Sequence, residues 1–560
     1  MKQYCKIPPL RFGICLGINL LAAVCQTAVA LIIQMTIDTA VAGDYTKFRQ
    51  ILLFTGAFLI GYTLTYYTRN VYTQKIADDF IADLRKKLYE RMIDSSYEKF
   101  RQRPVSDYLS ILTNDIHVYQ EGAVKSRLLV VQNLISLLVV SAALIAVSPA
   151  VTLVIAVCTF LIYLFPQIVS RRIRTVQGQV SEKLSVLTEY SENNLEGFYT
   201  ILTFFHQKKS KEQFHARNQE YNHRKIFLDR LMGKSETMSM GMSVGTELLV
   251  LFLCAGMVMR GSMTAGTMVA VMQLTGAFVQ PLTLIMQNIP RITGGKAVEE
   301  RFTVILEQEG RKEELEVPVD FRRDIRVSDL EFSYREGKAV LSGIDFTFVK
   351  GKKYALTGES GSGKTTLINL LNGIYPCREG EIFVDGKRIG EKEAVGYGSL
   401  FATAGQNVFL FNTTILENIT LLEEPKWEQL EKACQVSGVE EILSAFPEGI
   451  HTKISDNGAG LSGGQKQKIA LARAVYHKKP ILILDEGTSA IDKKSAAQIE
   501  KKLLGIPNLT LISITHDIRS PLLKQYDEVL YMSQGKIQEA GTWEELCGKG
   551  KAFAGFVNPV

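Results

Sequence analysis

Residues 358–365 read Gly-Glu-Ser-Gly-Ser-Gly-Lys-Thr, which fits the pattern G-x-x-x-x-G-K-[ST] of a phosphate-binding loop. A strand-like apolar stretch at 354–357 precedes this loop, and a helix-like run at 366–371 follows it. The motif is meaningful only between a strand and a helix, and both are expected here. The stretch therefore predicts an α/β domain that binds the phosphates of a nucleotide.

Each residue type in this loop has a chemical reason to be there. Glycines allow tight backbone turns that point N–H groups at phosphate oxygens, and the next helix directs its positive end at the same anion. Lys364 supplies a positive charge for the β- and γ-phosphates, and the hydroxyl of Thr365 can ligate magnesium. We therefore expect the loop to bind ATP and Mg²⁺ through Gly358, Glu359, Ser360, Gly361, Ser362, Gly363, Lys364, Thr365 and Thr366.

Composition divides the chain into two dissimilar halves. With 560 residues the chain is too long for a single core. Nearly all long apolar runs lie before residue 295, and charge-rich segments dominate after it. The net charge of +6 is small for this length and does not indicate nucleic-acid binding. The eight cysteines show no metal-like spacing, so we expect them to be reduced packing residues.

The first half contains apolar runs long enough to cross a bilayer, which takes roughly 20 residues in a helix. The first run is too long for a cleavable signal peptide, so we expect none. We predict a membrane domain at 1–310, a linker at 311–324 and a second domain at 325–560. The six predicted spans are 12–37, 51–72, 128–147, 151–169, 240–259 and 263–289.

Lysine and arginine are concentrated at the N-terminus and in the two long connectors, which follow spans two and four. The three short loops carry few of them. This asymmetry predicts a multi-pass protein of the plasma membrane with both termini and both connectors in the cytoplasm. Apolar residues recur at helical spacing in the first connector, so the spans should continue as helices past the membrane. We expect the connectors to reverse near 104–107 and 196–200.

Glu247 is the only carboxylate well inside an apolar run. An ionisable group at that depth is costly unless it faces water or a partner, so it is a candidate cavity residue. A hydrogen bond between helices is an equally good explanation. Our hypothesis is that Glu247 lines a translocation cavity and favours cationic cargo.

Beyond residue 325, strand-like and helical segments alternate, which is an α/β pattern. The ring of Tyr334 can stack on adenine, and Gln406 offers an amide to magnesium or to an attacking water. Leu-Ser-Gly-Gly-Gln at 461–465 runs into a strong helix former, so the helix start provides a second anion site. The residues of that site are Ser462, Gly463, Gly464 and Gln465. Two such sites with one lysine-bearing loop indicate a nucleotide shared between two copies.

Two further apolar strands end in chemically active residues. The run at 481–484 leads into Asp485 and Glu486, which can hold magnesium and polarise the attacking water. The run at 510–515 ends at His516, where an imidazole would reach a γ-phosphate. The predicted catalytic set is therefore Glu486, His516 and Gln406, with Thr365, Gln406 and Asp485 as magnesium ligands.

These motifs, in this order, resemble an ABC transporter of the exporter type, a half-transporter whose membrane domain comes first. The resemblance covers nearly the whole chain, and it identifies 461–465 as the signature and Asp492 as the acid of the D-loop. It implies a homodimer, or the competent half of a heterodimer, with two ATPs at the interface. It also implies coupling helices near 107–115 and 193–200. The segment 455–460 departs from the pattern usual before the signature.

The expected function is ATP-driven export of a small-molecule, lipid or peptide cargo across the lipid bilayer. An importer of the same architecture, as for some siderophores, remains an alternative. So does an ATP-gated channel or sensor, although the complete catalytic set argues against it. The apolar spans exclude a soluble ATPase acting on nucleic acid.

Overall fold

The computed structural model describes residues 7–307, 319–334, 339–375, 382–390, 394–455, 457–458, 460–518, 520–548 and 552–557. The chain divides into two compact units. The first consists of Met1–Ile93 and Pro104–Gln308, and the second of Asp94–Arg103 and Glu309–Val560. Most of the expected linker, 311–318, lies outside the described residues.

Helices joined by short turns are the regular secondary structure of the first unit among its described residues. Its longest helix has 53 residues, about 80 Å at 1.5 Å per residue, so it extends well beyond a bilayer core. The helices are α1 (Pro9–Ala42) and α2 (Tyr45–Ile93), then, beyond the short α3 (Tyr97–Phe100) of the second unit, α4 (Val105–Ser110), α5 (Ile116–Tyr119), α6 (Ser126–Val147), α7 (Pro149–Glu196), α8 (Phe198–Thr203), α9 (Gln207–Met259) and α10 (Ala265–Leu306).

Within the described residues, five helical runs are long and apolar enough to cross a membrane. They are α1, α2, Val105–Val147, α9 and α10. The fourth predicted span falls in α7, whose described apolar part is Pro149–Ile162. The side chains at 163–171 lie outside the description.

The first connector reverses earlier than its sequence indicated. Helix α2 ends at Ile93, and α3 lies in the turn, where Ser96 caps it by accepting a bond from the Lys99 N–H. Pro104 then starts a helical run that continues to Val147 through π-helical turns at Ile111–Asp115 and Gln120–Lys125. The prediction of a tip at 107–115 was therefore wrong, because Pro104 begins the returning helix rather than forming the turn.

The second connector reverses close to the predicted place. Helix α7 ends at Glu196 and α9 begins at Gln207, so the tip consists of α8 and its flanking residues.

Small side chains let the helices of the first unit approach closely. A Cβ atom on Gly295 of α10 would lie 2.6 Å from the Cβ of Ala123, and one on Gly266 would lie 2.5 Å from the Asp38 carboxylate. That carboxylate accepts bonds from the Gly266 N–H and the Thr264 hydroxyl, both at 2.9 Å, which joins α1 to the start of α10. Close packing of this kind is typical of membrane helices.

The second unit contains two sheets. The strands are β1 (Asp324–Phe332), β2 (Leu341–Val349), β3 (Lys353–Gly358), β4 (Ile382–Val384), β5 (Lys387–Arg388), β6 (Phe401–Ala404), β7 (Ile481–Asp485), β8 (Thr510–Ile514), β9 (Glu528–Ser533) and β10 (Lys536–Gly541). The smaller sheet has the order β2-β1-β4-β5 and is antiparallel. The larger has the order β10-β9-β3-β8-β7-β6, parallel from β9 to β6.

Helices connect and cover these sheets. They are α11 (Lys364–Leu371), α12 (Ala394–Gly398), α13 (Ile415–Thr420), α14 (Trp427–Ser437), α15 (Glu440–Leu443), α16 (Gly463–Tyr476), α17 (Lys493–Leu504), α18 (Trp543–Gly548) and α19 (Ala552–Val557), with 3₁₀ turns at Gly449–His451 and Pro521–Gln525. Every residue of β3 and β8 is buried, as a central parallel strand requires. The helical first unit and the α/β second unit confirm the expected fold class.

Candidate functional site

The candidate catalytic residues meet at one edge of the larger sheet. Strands β3, β8, β7 and β6 are neighbours in that order and run parallel. Their carboxyl ends lead, in the same order, into the loop at 358–365, His516, the pair Asp485–Glu486 and Gln406. Ligands of parallel α/β sheets bind at this edge, so the topology brings together residues far apart in sequence.

The loop after β3 depends on glycine conformations. Gly358 has φ 149° and Gly363 has φ 101°, both in the region that side chains disfavour. A Cβ atom on Gly358 would also lie 2.1 Å from the carbonyl oxygen of Met532. The Lys364 ammonium donates to the carbonyls of Gly358 and Glu359, at 2.9 Å each. The loop therefore holds a cation against its own backbone.

Burial lowers the pKa of Lys364, and the charges of Glu486 and Asp485 oppose that shift. The charged ammonium has lost part of its hydration. A bound anion would stabilise it, because the anion's oxygens would take the place of the missing water. This favours phosphate binding at the loop.

Glu486 is held by two side chains from neighbouring strands. Gln406 Nε2 donates to its Oε2 at 2.7 Å, and His516 Nε2 lies 2.7 Å from its Oε1. The backbone of Glu486 has φ 52°, which is unusual for a residue with a side chain, and Gln467 Nε2 donates to its carbonyl at 3.3 Å. Strain of this kind is concentrated at functional sites, where the surroundings impose it.

Asp485 and Thr365 present oxygens to one point. Thr365 Oγ1 lies 3.5 Å from Asp485 Oδ1. Burial, and then the charge of Glu486, raises the pKa of Asp485. Hard oxygen donors beside a phosphate loop suit Mg²⁺, which needs few protein ligands because water and phosphates complete its shell. Gln406, predicted as a third ligand, donates through Nε2 to Glu486, so its amide oxygen is the atom that it would offer to the ion.

Tyr334 lies in a group of aromatic rings. Its side chain is 49% exposed, so a face remains accessible for stacking, and its hydroxyl lies 3.1 Å from Thr366 Oγ1. The rings of Phe332 and Tyr375 meet it edge to face at 5.0 and 5.4 Å. Tyr375 also contacts Tyr97 of α3, with ring centres 6.0 Å apart. The sequence alone did not indicate the role of Tyr375 beside Tyr334.

The second anion site is the start of α16. Ser462 Oγ accepts a bond from the Gln465 N–H, and Gln465 Oε1 accepts one from the Ser462 N–H, which completes a capping box. A Cβ atom on Gly464 would lie 2.7 Å from the carbonyl oxygen of Ala490, so glycine allows the helix to reach the segment after β7.

Gln467 joins the two segments. Its Nε2 lies 3.2 Å from Ser489 Oγ, and its Oε1 accepts the Ala490 N–H at 2.9 Å. Sequence reasoning missed Gln467, although its place two residues after Gln465 was a usable signal. Residues 456 and 459 of the divergent segment lie outside the described residues.

Asp492 caps α17 by accepting the Ser495 N–H at 2.9 Å, and this bond lowers the pKa of the carboxyl.

Glu247 is half-buried in α9 and has neither an ion pair nor a hydrogen bond to another described side chain.

Two family models match the chain. The model described as "ABC transporter transmembrane region" matches residues 12–282, and the model described as "ABC transporter" matches residues 341–489.

Curated relatives match over nearly the whole chain. An ATP-dependent lipid A-core flippase of Shewanella denitrificans is 30% identical, covering 93% of this chain and 88% of its own. The flippase of Haemophilus ducreyi is 27% identical over 94% and 93%. The uncharacterized ABC transporter ATP-binding protein YknV of Bacillus subtilis is 27% identical over 97% and 91%.

A solved bacterial Atm1-family ABC exporter with ATP bound has the same fold. It superposes with a TM-score of 0.82 at 18% identity, and the match covers 97% of each chain.

Proposed function

The chain is an exporter-type half-transporter of the ABC transporter family, in which ATP hydrolysis drives export, and we propose that two copies hydrolyse two ATP molecules between their second units. In this arrangement the loop at 358–365 of one copy and the start of α16 of the other bind the same nucleotide. The support is that each anion site is built completely, yet one chain carries a single lysine-bearing loop.

The observation that carries the proposal is the bonding of Glu486. Gln406 and His516 fix both of its oxygens beside the Asp485–Thr365 pair. We assign Glu486 as general base, because a carboxylate positioned beside a γ-phosphate can accept the proton of the attacking water. His516 orients that carboxylate. Gln406 offers its amide to the attacking water and to the magnesium ion.

Mg²⁺, when bound, neutralises charge on the β- and γ-phosphates. We assign Thr365 and Asp485 to hold it, because their oxygens already lie close together. Lys364 and the glycine N–H groups bind the phosphates, and Tyr334 stacks on adenine. Asp492 belongs to the interface between the two copies.

We place both termini in the cytoplasm and the membrane domain at 1–310, with the nucleotide domain from about residue 325 on. Lysine and arginine placement supports this topology, and the two connector turns support coupling through α3 and α8. Because relatives are named lipid A-core flippases, we propose an amphiphilic cargo, with Glu247 lining its path.

A test of the shared nucleotide site uses two inactive variants, Lys364→Ala and Ser462→Arg. A mixed dimer, isolated through two different affinity tags, contains one site with both parts intact. Its ATPase rate should be about half that of the wild type, since one of two symmetric sites survives. Each variant alone should be inactive.

The matched control pairs the double variant, Lys364→Ala with Ser462→Arg, with a wild-type chain. That mixed dimer has one defect in each shared site and should be inactive. If instead it is active while the first mixture is not, each chain hydrolyses ATP by itself and the proposal fails.

A further inference from the structure

The membrane part of α2 holds a buried arginine without a carboxylate partner among the described residues. Arg69 is only 8% exposed. Its guanidinium carbon lies 4.0 Å from the centre of the Tyr66 ring, and within the described part of the chain its hydrogen-bond contacts, at 3.4 Å, are to the adjacent Asn70. A buried charge in a membrane helix is costly unless something compensates it, so such residues are usually functional.

A ladder of aromatic rings leads along α2 to this arginine. Phe54, Phe58, Tyr62 and Tyr66 are spaced one helical turn apart, with ring centres separated by 6.3, 6.1 and 6.2 Å. Phe54 and Tyr66 are twelve residue steps apart, which is about 18 Å along the helix. We call these four rings and Arg69 the α2 strip.

The rings of the α2 strip lie on a surface that the chain itself leaves partly or largely uncovered, whereas Arg69 at its end is buried. None of the residues in the most apolar window of α2 is buried, although the helix is apolar enough to cross a membrane. The Phe54 side chain is 61% exposed and that of Tyr66 is 43% exposed. Some apolar partner must therefore contact the strip.

A second unsatisfied group lies opposite Arg69 on α1. Cys15 Sγ lies 3.9 Å from Thr73 Oγ1, and one turn along these antiparallel helices brings Asn19 level with Arg69. Asn19 is 4% exposed, its amide nitrogen donates to the Cys15 carbonyl at 2.8 Å, and its Oδ1 has no partner among the residues that the structure describes. The apolar ladder thus ends at a buried polar site with one positive charge.

We propose that the α2 strip binds an amphiphile carrying one anionic group, a phosphate or carboxylate on Arg69, with its apolar body along the rings. Charge complementarity selects this occupant, because an uncharged lipid tail would leave the guanidinium unpaired. A guanidinium offers a planar set of donors that matches both kinds of anion. The inference rests on the proposed function in one respect, that the bound amphiphile is the transported cargo.

The test uses the full-length protein in phosphatidylcholine nanodiscs. The probe is a fluorescent single-chain phosphatidic acid, and a monoacylglycerol with the same tail, which carries no anionic group, is the comparison. Binding is measured by anisotropy without ATP, and ATPase stimulation is measured separately. Arg69→Gln should raise the half-saturating concentration of the phosphatidic acid about tenfold in both assays and leave the monoacylglycerol value unchanged.

The matched control is Arg85→Gln, which removes the same charge from an exposed position of α2 and should change neither value. If Arg69→Gln does not assemble, Arg69→Lys and Tyr66→Leu decide the question. The lysine variant keeps the charge and should stay within about threefold of the wild type, since only the planar donor set is lost. The Tyr66 variant should bind both probes more weakly.

Two results would overturn the inference. They are equal binding of both probes and an unchanged response in a folded Arg69→Gln variant. Probe binding that never stimulates ATPase would identify a structural lipid and would contradict only the assignment of the bound amphiphile as cargo. The anisotropy assay needs no ATP, so it remains valid even if the shared nucleotide site is refuted.

Discussion

Each unit of this protein buries a cation, and the two units treat it differently. In the second unit, the ammonium of Lys353, only 7% exposed, donates to the carbonyls of Ile506 and Leu509, while Asp527 lies close enough to oppose the effect of burial on its pKa. In the first unit, Arg69 is buried to a similar degree, but its polar and ring contacts among the described residues are to Asn70 and Tyr66 of the same helix. One charge is satisfied within the chain and the other is not.

This difference shows which unit is complete in one chain. The central strands of the second unit are wholly buried, so its stability comes from its own side chains. The apolar face of α2 is uncovered, so the first unit depends on lipid, cargo or a second copy. We therefore expect that substituting a buried charge changes mainly the free energy of unfolding in the second unit. In the first unit, such a substitution should change mainly ligand binding.

The largest expected effect concerns Glu486, a charge in the second unit that we expect to affect activity rather than stability. Glu486 is held by Gln406 and His516 but is still 24% exposed, so we expect its charge to serve the reaction rather than the fold. Glu486→Gln should lower ATPase turnover roughly 10²- to 10⁴-fold, because the attacking water loses its general base. Bound ATP should persist, as measured by retention of radiolabelled nucleotide.

The control for this variant is Glu428→Gln, which changes an exposed residue at the start of α14 and should leave turnover unchanged. Thermal stability without nucleotide should stay near the wild-type value in both. Wild-type turnover in Glu486→Gln would refute its assignment as the base.

Lys353→Met tests the other half of the comparison. The substitution leaves the carbonyls of Ile506 and Leu509 without their donor inside the fold, so it should destabilise the second unit by about 2–3 kcal/mol. Both tryptophans, Trp427 and Trp543, belong to this unit, so tryptophan fluorescence of the full-length protein reports its unfolding alone.

The adjacent Lys352 is the matched control. Its side chain is 41% exposed and pairs with Glu528 at 2.9 Å, so Lys352→Met should cost less than about 1 kcal/mol. If both variants lost the same free energy of unfolding, burial of the ammonium would not determine the loss. The contrast with Arg69 would then be weaker.

How much the sequence revealed also differs between the units. The positions of Lys364, Asp485, Glu486 and His516 followed from motifs, because each lies where a parallel strand ends and such ends share one edge. The bond from Gln406 to Glu486 did not follow, since it depends on strand order, which the sequence does not state.

In the first unit, periodicity located the long helices but not their contacts. The first reversal was misplaced because a proline can either form a turn or begin a helix. The approach of Gly295 to Ala123 and the burial of Arg69 depend on how helices pack. Hydropathy averages over the very side chains that determine this packing.

The smallest expected effect concerns a half-buried carboxylate in the second unit, that of Glu500. Burial raises the pKa of Glu500 above its ordinary value of 4.5, and the charge of Asp517 adds to this, while a bond donated by the Tyr526 hydroxyl opposes it. Between the ordinary and the raised pKa, the folded chain binds more protons than the unfolded chain. The contribution of Glu500 to stability therefore falls as pH rises through that window.

Glu500→Gln removes this charge, and its amide oxygen can still accept the Tyr526 bond. The variant should thus gain stability over the wild type as pH rises from 4.5 towards neutrality, when unfolding is followed by tryptophan fluorescence. The matched control is Glu440→Gln, a substitution of an exposed carboxylate at the start of α15 that is followed in the same way. If Glu500→Gln were instead less stable at neutral pH, its ionised carboxylate would be a net stabilising partner of Tyr526. The second unit would then gain from a buried charge that has no opposite charge beside it, and an unpaired Arg69 would no longer by itself indicate a missing ligand.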